Sequence, residues 1–252
     1  MTVVLSVKGT ASAPALRLRP WQADDAAALA RAHRDPVLRR RLTTFVTTEA
    51  DARHWIAAQH EAWTAATRFS FAVLEAASGC EAGETGLGQE AGQEAPGETG
   101  PRAWAEVRSG SNAEIGLEIG AEAGVGFGSG GRKVGGGEGI ASERLAGQVV
   151  LKTGADPGVA EVGYWVSAEI RGRGVASRAL EAVTRWAFSA QGPLRLARIE
   201  LFHAADNHGS CRVAERCGYG FQRVLPPQPP VFPTEGHLHV RHAEADGEHR
   251  HR

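Results

Sequence analysis

The N-terminal part of the chain opens on an alternation. Leu16-Arg17-Leu18-Arg19 puts apolar residues on one side of an extended backbone and polar ones on the other, which predicts a strand. Asp24 and Asp25 then lead an alanine-rich stretch to about Arg34; carboxylates in a first turn suit the positive end of a helix dipole, so a helix is predicted there. A second helix begins near Thr48, whose spacing to Asp51 has the form of a capping box, and Ala52, Ile56 and Trp63 give it a face to bury. Phe69 to Leu74 is the next strand, with Phe69, Phe71 and Val73 on one side.

The pattern then stops. Residues 79–139 hold 19 of the chain's 32 glycines, and they repeat themselves: Gly83-Glu84-Thr85-Gly86 returns as Gly97-Glu98-Thr99-Gly100, and Gln89-Glu90-Ala91 as Gln93-Glu94-Ala95. So little apolar surface does not offset the entropy of ordering, and the tract is expected to be a disordered, low-complexity insert. Within it only Ile115, Leu117 and Ile119 alternate as a short strand would. Strand character resumes from Leu145 to Leu151, so the tract reads as the expanded loop of a hairpin. Lengthening a loop from about four to about sixty residues costs roughly 2.4 kcal/mol of closure entropy, which a stable domain tolerates.

Beyond the insert the periodicity is regular. Ala160 to Val166 predicts a strand, Gly174 to about Ala190 a helix, Arg198 to Phe202 a strand, His208 to Cys217 a short helix and Leu238 to Arg241 a last strand. In the long helix Ala176, Ala179, Leu180, Val183, Ala187 and Ala190 form one apolar stripe, with Arg178, Glu181 and Arg185 elsewhere on its surface. The expected organisation is a flexible N-terminus (1–14), one domain assembled from 15–78 and 140–243, the insert (79–139) and a polar tail (244–252).

Composition changes this picture in one respect. The 252 residues are 42% hydrophobic, enough for a core, and the formal charge is −1. That average conceals an insert at −6 and a remainder at +5, so a polyanionic ligand is compatible with the body. No run approaches the 18 apolar residues of a membrane span, and no membrane role is expected. Ala11-Ser12-Ala13 has the form of a cleavage site, but Val3 to Val7 is too short a hydrophobic run for a signal peptide; the expected location is cytoplasmic. Three cysteines, Cys80, Cys211 and Cys217, do not make a disulfide framework, and Cys211 and Cys217 read as packing residues.

The chemistry concentrates in Glu161-Val162-Gly163-Tyr164-Trp165-Val166, followed four residues later by Arg171-Gly172-Arg173-Gly174-Val175-Ala176. A strand feeds a glycine-rich turn that opens an amphipathic helix, an arrangement that directs backbone N–H groups and the helix dipole at an anion. A Walker loop would end in Gly-Lys-Ser/Thr, and this turn has no lysine; a dinucleotide fingerprint needs a third glycine where Ser177 stands. The literal G-x-G-x-x-G at Gly126, Gly128 and Gly131 lies in the low-complexity tract and is a coincidence of composition.

The pattern Arg-x-x-Gly-x-Ala after a Glu-x-Gly-Tyr-Trp strand resembles the GNAT N-acetyltransferases, in particular the RimJ/RimL-like branch. A second motif at family spacing, Asn207-His208-Gly209-Ser210-Cys211-Arg212-Val213-Ala214-Glu215-Arg216-Cys217-Gly218-Tyr219, is similar to that branch's N-x-x-S-x-x-V-A-E-K-x-G-F. The resemblance implies an α/β (α+β) GNAT fold: a mixed, mostly antiparallel twisted sheet, flanked by about four helices and splayed between the strands at 161–166 and 198–202. Acetyl-CoA would be the co-substrate, its pantetheine near Val166 and Asn207 and its pyrophosphate on Arg171, Gly172, Arg173, Gly174, Val175 and Ala176. Transfer would be direct attack of an amine on the thioester, with Glu161 drawing the amine proton through water and Ser210 serving the departing thiolate.

Plainer roles exist for the same residues. Glu161 suits a salt bridge, Ser210 an early-helix hydrogen bond, and Asn207 a helix cap. His237, His239 and His242 look like a metal cluster, but the first two alternate on a strand without a Cys or carboxylate partner at zinc spacing, so no metal is expected. Pro226 to Pro230 and Pro233 fall where relatives line the acceptor pocket, so the usual acceptor does not carry over; the expected acceptor is a primary amine, whether a protein N-terminus, an amino sugar or another small amine. The expected protein is a monomer or homodimer without a nucleic-acid partner; the competing reading is a catalytically silent acyl-CoA-binding module.

Overall fold

The computed structural model describes residues 3–42, 44–76, 143–229 and 233–243. Among these, eight strands and five helices follow in chain order. They are β1 (Leu5–Val7), β2 (Leu16–Pro20), α1 (Ala26–Ala32), α2 (Pro36–Arg39), α3 (Glu49–Thr64), β3 (Arg68–Ala76) and β4 (Glu143–Thr153). After these come β5 (Val159–Val166), α4 (Val175–Phe188), β6 (Arg198–Ala204), α5 (His208–Arg216), β7 (Gly220–Leu225) and β8 (Gly236–His242). One mixed sheet runs β1-β2-β3-β4-β5-β6-β8-β7, antiparallel at every step except the parallel β5–β6 pair.

The predicted elements all form, with boundaries shifted by a few residues, and three unpredicted ones join them. Leu5–Val7, placed by sequence in a flexible N-terminus, is instead an edge strand paired with Leu16–Leu18. It is too short to show a period. Helix α2 is a single turn, but Asp35 caps it by accepting from Val37 N at 2.9 Å, and Pro36 holds its first position. It raises the helix count from the expected four to five. Strand β7 is exposed except at Leu225 and is interrupted by a bulge between Phe221 and Arg223, so no alternation marks it.

Thr48 caps α3 as predicted, accepting from Asp51 N at 3.1 Å while the Asp51 carboxylate takes the Thr48 N–H at 2.9 Å. Strands β3 and β4 pair along their length to Ala76↔Glu143, so residues 77–142 join two adjacent strand ends as a hairpin connection requires. The insert itself, the Ile115–Ile119 alternation and the 244–252 tail lie outside the described residues.

The sheet is covered on both faces. On one, Leu18, Phe71, Val73, Val149, Leu151, Val162, Ile199 and Leu201 pack against α4 through Ala179, Leu180, Val183 and Ala187. This is the predicted helical stripe meeting alternate strand positions. On the other, Trp21, Ala72 and Trp165 pack with α1 and α3. A buried polar chain fixes this second face: Trp21 Nε1 donates to Ser70 Oγ (3.0 Å), as does Gln148 Nε2 (2.7 Å), and Trp165 Nε1 donates to Gln148 Oε1 (2.5 Å). Pairing between β5 and β6 runs only from Val159↔Arg198 to Val162↔Leu201, although both strands continue. Beyond Val162 the sheet opens.

Candidate active site

Helix α4 begins at the mouth of this opening. Its N-cap Gly174 has φ +70° and Gly172 has φ +78°, values at which a side chain is strained. An ideal Cβ at either would meet nothing within 4 Å, so the glycines are required by backbone conformation and the space before them is free. Left-handed glycines alternate here with Arg171 and Arg173 directly before a helix N-terminus, whose free N–H groups and dipole suit a phosphate. A pyrophosphate-bearing substrate therefore fits this turn on observations independent of family.

The opening holds a cleft of about 400 Å³. It brings together Val166, Arg171, Gly172, Gly174, Val175 and Ala176 from the β5–α4 segment with Asn207 and Ser210 from α5. A smaller hollow deeper in the splay, about 70 Å³, adds Gly163 and His203 and shares Tyr164, Asn207 and Ser210 with the cleft. Asn207 is the N-cap of α5, its Oδ1 accepting from Ser210 N at 3.3 Å, so capping and a place on the cleft wall coexist. A wider depression of about 960 Å³ beside α4 and β8 is less suited to a ligand, because Glu181 there is already paired with both Arg241 and Arg185.

Tyr164, quoted in the strand motif but given no role by sequence, lines both the cleft and the hollow. Its hydroxyl is buried and makes no well-aligned hydrogen bond among the described residues. Burial pushes its pKa up to about 12, with the nearby Ser210 hydroxyl acting the other way. Tyr164 thus stays protonated at neutral pH, its hydroxyl beside that of Ser210. The signal was available: period-two alternation puts Tyr164 on the Val162 face, toward α4 and α5, and opposite to Gly163 and Trp165.

Three expectations change. Glu161 lies on the Gly163 and Trp165 face but does not line the cleft; it sits in the paired part of β5 opposite Lys152, whose Nζ is 3.2 Å from its Oε1. Arg173 also leaves the cleft wall, turning to the buried Glu75 carboxylate at 2.8 Å, which Arg144 engages as well. Arg171 stays on the wall but is held, its Nε donating to Val166 O at 3.2 Å and its guanidinium ion-paired to Asp35. Asp35 belongs to the α2 cap; α2 supplies Val37 and Leu38 to the cleft and the turn after it Arg41, a contribution sequence missed with the helix itself.

The third change concerns metal. Sequence set a metal aside because His237 and His239 had no partner at zinc spacing, and read Cys211 as a packing residue. The fold supplies partners from a distance: Cys211 of α5 and His203 of β6 come within donor range of both histidines. His242 is not among them.

A sheet splayed between parallel strands, a glycine turn before a helix on one side and the Tyr164 and Ser210 hydroxyls on the other define the frame of an acyl-CoA-dependent acyltransferase. The acetyltransferase (GNAT) domain family matches residues 15–133 and 135–220, and the chain belongs to that family. Its members are acyl-CoA-dependent N-acyltransferases. No curated protein matches the sequence. Among solved structures the chain is similar to the ribosomal-protein-S5-alanine acetyltransferase from Vibrio fischeri, with 14% identity, TM-score 0.60, and 95% of this chain and 97% of that one covered. It is also similar to RimL, the ribosomal L7/L12 α-N-protein acetyltransferase in complex with coenzyme A, with 14% identity, TM-score 0.59 and coverage of 96% and 99%. Mycobacterium smegmatis RimJ in complex with a CoA disulfide gives 15%, 0.58, and 96% and 87%. Among the described residues no helix is long and apolar enough to cross a membrane.

Proposed function

We propose that this protein transfers the acetyl group of acetyl-CoA to a primary amine by direct attack, and that the acceptor is a protein N-terminus. The observation that carries the reading is the meeting of the glycine turn with Tyr164, Asn207 and Ser210 on one cleft. The glycine turn and Val175–Ala176 hold the pyrophosphate, and Val166 and Asn207 flank the pantetheine arm. The bound thioester supplies an activated acyl carbonyl; this chain's residues orient it and manage protons. Ser210, backed by the Tyr164 hydroxyl, donates toward the departing sulfur. On the opposite face Glu161 receives the amine proton through water passing Gly163. The acceptor class rests on the similar structures, a ribosomal L7/L12 α-N-protein acetyltransferase and a ribosomal-protein-S5-alanine acetyltransferase. An amino sugar or small amine would use the same chemistry.

The ion pair between Glu161 and Lys152 favours a second reading, a silent module that binds acyl-CoA without turnover. One assay separates the two. Purified full-length protein with acetyl-CoA is offered N-terminal peptides, amino sugars and polyamines, and free thiol release is followed. Turnover with peptides, lost selectively in Ser210→Ala with acetyl-CoA affinity retained, supports the enzyme. Tight acetyl-CoA binding with no thiol release for any acceptor supports the silent module.

A further inference from the structure

His203, Cys211, His237 and His239 converge from β6, α5 and β8, and their donor atoms all lie within 4.8 Å of one another. Strand register explains the histidines. His203 stands directly opposite His237 across the β6–β8 ladder, and His239 stands opposite Leu201, so the three imidazoles share one face of the sheet. Cys211, in the first turn of α5, is set against them with Sγ 3.6 Å from His203 Nε2 and 3.4 Å from His237 Nδ1.

The rings are oriented as ligands would be. His203 Nδ1 lies 2.8 Å from the Ala204 carbonyl and His239 Nδ1 lies 3.4 Å from the Tyr219 carbonyl. A carbonyl only accepts, so each Nδ1 carries the proton and each Nε2 keeps its lone pair for the cluster. His239 is 1% exposed, and its Nε2 finds no hydrogen-bond partner among the described residues. A buried acceptor on a residue grouped with a thiol and two imidazoles, with nothing to accept from, is an unmet requirement in this corner. Phe221 closes the outer side, its ring 5.2 Å from that of His237 and 5.5 Å from that of His239.

We propose that these four residues form a tetrahedral site for a zinc-class divalent cation, held by one thiolate and three neutral imidazoles. With metal–nitrogen bonds of about 2.0–2.1 Å and a metal–sulfur bond of about 2.3 Å, the edges of such a tetrahedron are roughly 3.3–3.6 Å. Two of the three separations involving sulfur, to His203 and His237, match that range as they stand, and the remaining donor pairs lie within 4.8 Å. Thiolate with imidazole selects zinc-like ions over the oxygen-seeking magnesium and calcium, and four protein donors make the site closed and structural. On binding, the Cys211 S–H bond breaks, its proton leaves to solvent, and the sulfur lone pair forms the metal bond. The ion ties β6 and β8 to the first turn of α5, one residue from Ser210 and four from Asn207. It is a positioning centre for the cleft wall and takes no part in the transfer chemistry.

The test uses tag-free, full-length protein and no acyl donor, so its outcome is independent of the acetyl-transfer reading. Protein purified without chelator is measured for metal content, then stripped and titrated with Co²⁺ and Zn²⁺. The expected result is one zinc per chain as purified. Stripped protein should bind one Co²⁺ with intense visible bands of tetrahedral cobalt and a thiolate-to-metal charge-transfer band, both displaced by Zn²⁺. Cys211→Ser should lose the charge-transfer band and weaken zinc binding by at least about a hundredfold, and His239→Ala should weaken it comparably. His242→Ala, at an exposed histidine outside the cluster, should change neither. The wild type decides the matter even if a variant fails to fold. No stoichiometric binding, cobalt bands of the weak octahedral kind, or a charge-transfer band that survives Cys211→Ser would overturn the proposal.

Discussion

The turn before α4 and the corner beneath α5 lie on either side of the same opening, and they are built in opposite ways. The first is contiguous: its backbone runs from Arg171 to Ala176, two glycines at φ +78° and +70° set its curvature, and only the arginine side chains reach distant partners, Asp35 and Glu75. The second is convergent: residues 203, 211, 237 and 239 meet only because β6 and β8 pair in one register and α5 presents its first turn to them. A contiguous site depends on local backbone conformation and survives changes elsewhere in the chain. A convergent site depends on tertiary structure and fails with it.

The largest expected effect strikes the contiguous side. Gly172→Asp with Gly174→Asp strains two left-handed residues and puts two carboxylates where a pyrophosphate would bind, so acetyl-CoA affinity should fall by at least about a hundredfold. Calorimetric titration checks this, and the same variant should keep its metal content, because none of the four convergent ligands is touched. Unchanged acetyl-CoA affinity would remove the phosphate role from the turn.

Next in size is Glu161→Gln. If the carboxylate draws the amine proton, kcat should fall about a hundredfold while acetyl-CoA binding holds. A fall of less than threefold would make Glu161 only the partner of Lys152 and would leave the acceptor side of the site to other groups. Tyr164→Phe should cost less, about tenfold in kcat, the size of one hydrogen bond to a developing charge. Burial pushes the Tyr164 pKa up to about 12, so the phenol keeps its proton well above the usual tyrosine value. The wild-type rate should therefore show no loss from Tyr164 ionisation up to about pH 10, where an unperturbed tyrosine would be about half ionised. A basic limb near pH 10 that disappears in Tyr164→Phe would show the hydroxyl to be less shielded than its surroundings imply.

The same contrast governs how far the sequence could be read. Strands β5 and β6 and helices α3 and α4 were legible because their burial repeats at a period of two or near 3.6, β3 and β4 as apolar-rich runs buried on both faces, and the Thr48–Asp51 cap was local. Helix α2 left a trace in Asp35-Pro36, an N-cap followed by proline, but four residues are too few for a period. Strand β7, exposed and bulged, left none. At the site, the glycine turn was legible for the reason it is robust. The metal corner was not, since short spacing groups His237 and His239 with His242, which is not in the cluster, and leaves out His203 and Cys211. Its one sequence trace was the i, i+2 placement of His237 and His239 on a strand, which puts both rings on one face; what partners that face meets is decided by register.

The smallest expected effect tests whether both sides are independent of the tract between β3 and β4. Strand pairing reaches Ala76↔Glu143, and just inside that end Glu75 is buried between Arg144 and Arg173, so the connection emerges beside the ion pair that backs the glycine turn. Replacing residues 77–142 by a four-residue turn keeps those partners and removes about 2.4 kcal/mol of loop-closure cost. The shortened protein should melt at a higher temperature, bind acetyl-CoA within twofold of the parent and carry the same metal content. Thermal unfolding and titration on the purified variant check all three. A soluble variant with acetyl-CoA affinity several-fold weaker would mean that the tract supports the contiguous site through Glu75 and Arg173, and the turn before α4 would then be less local than its sequence makes it look.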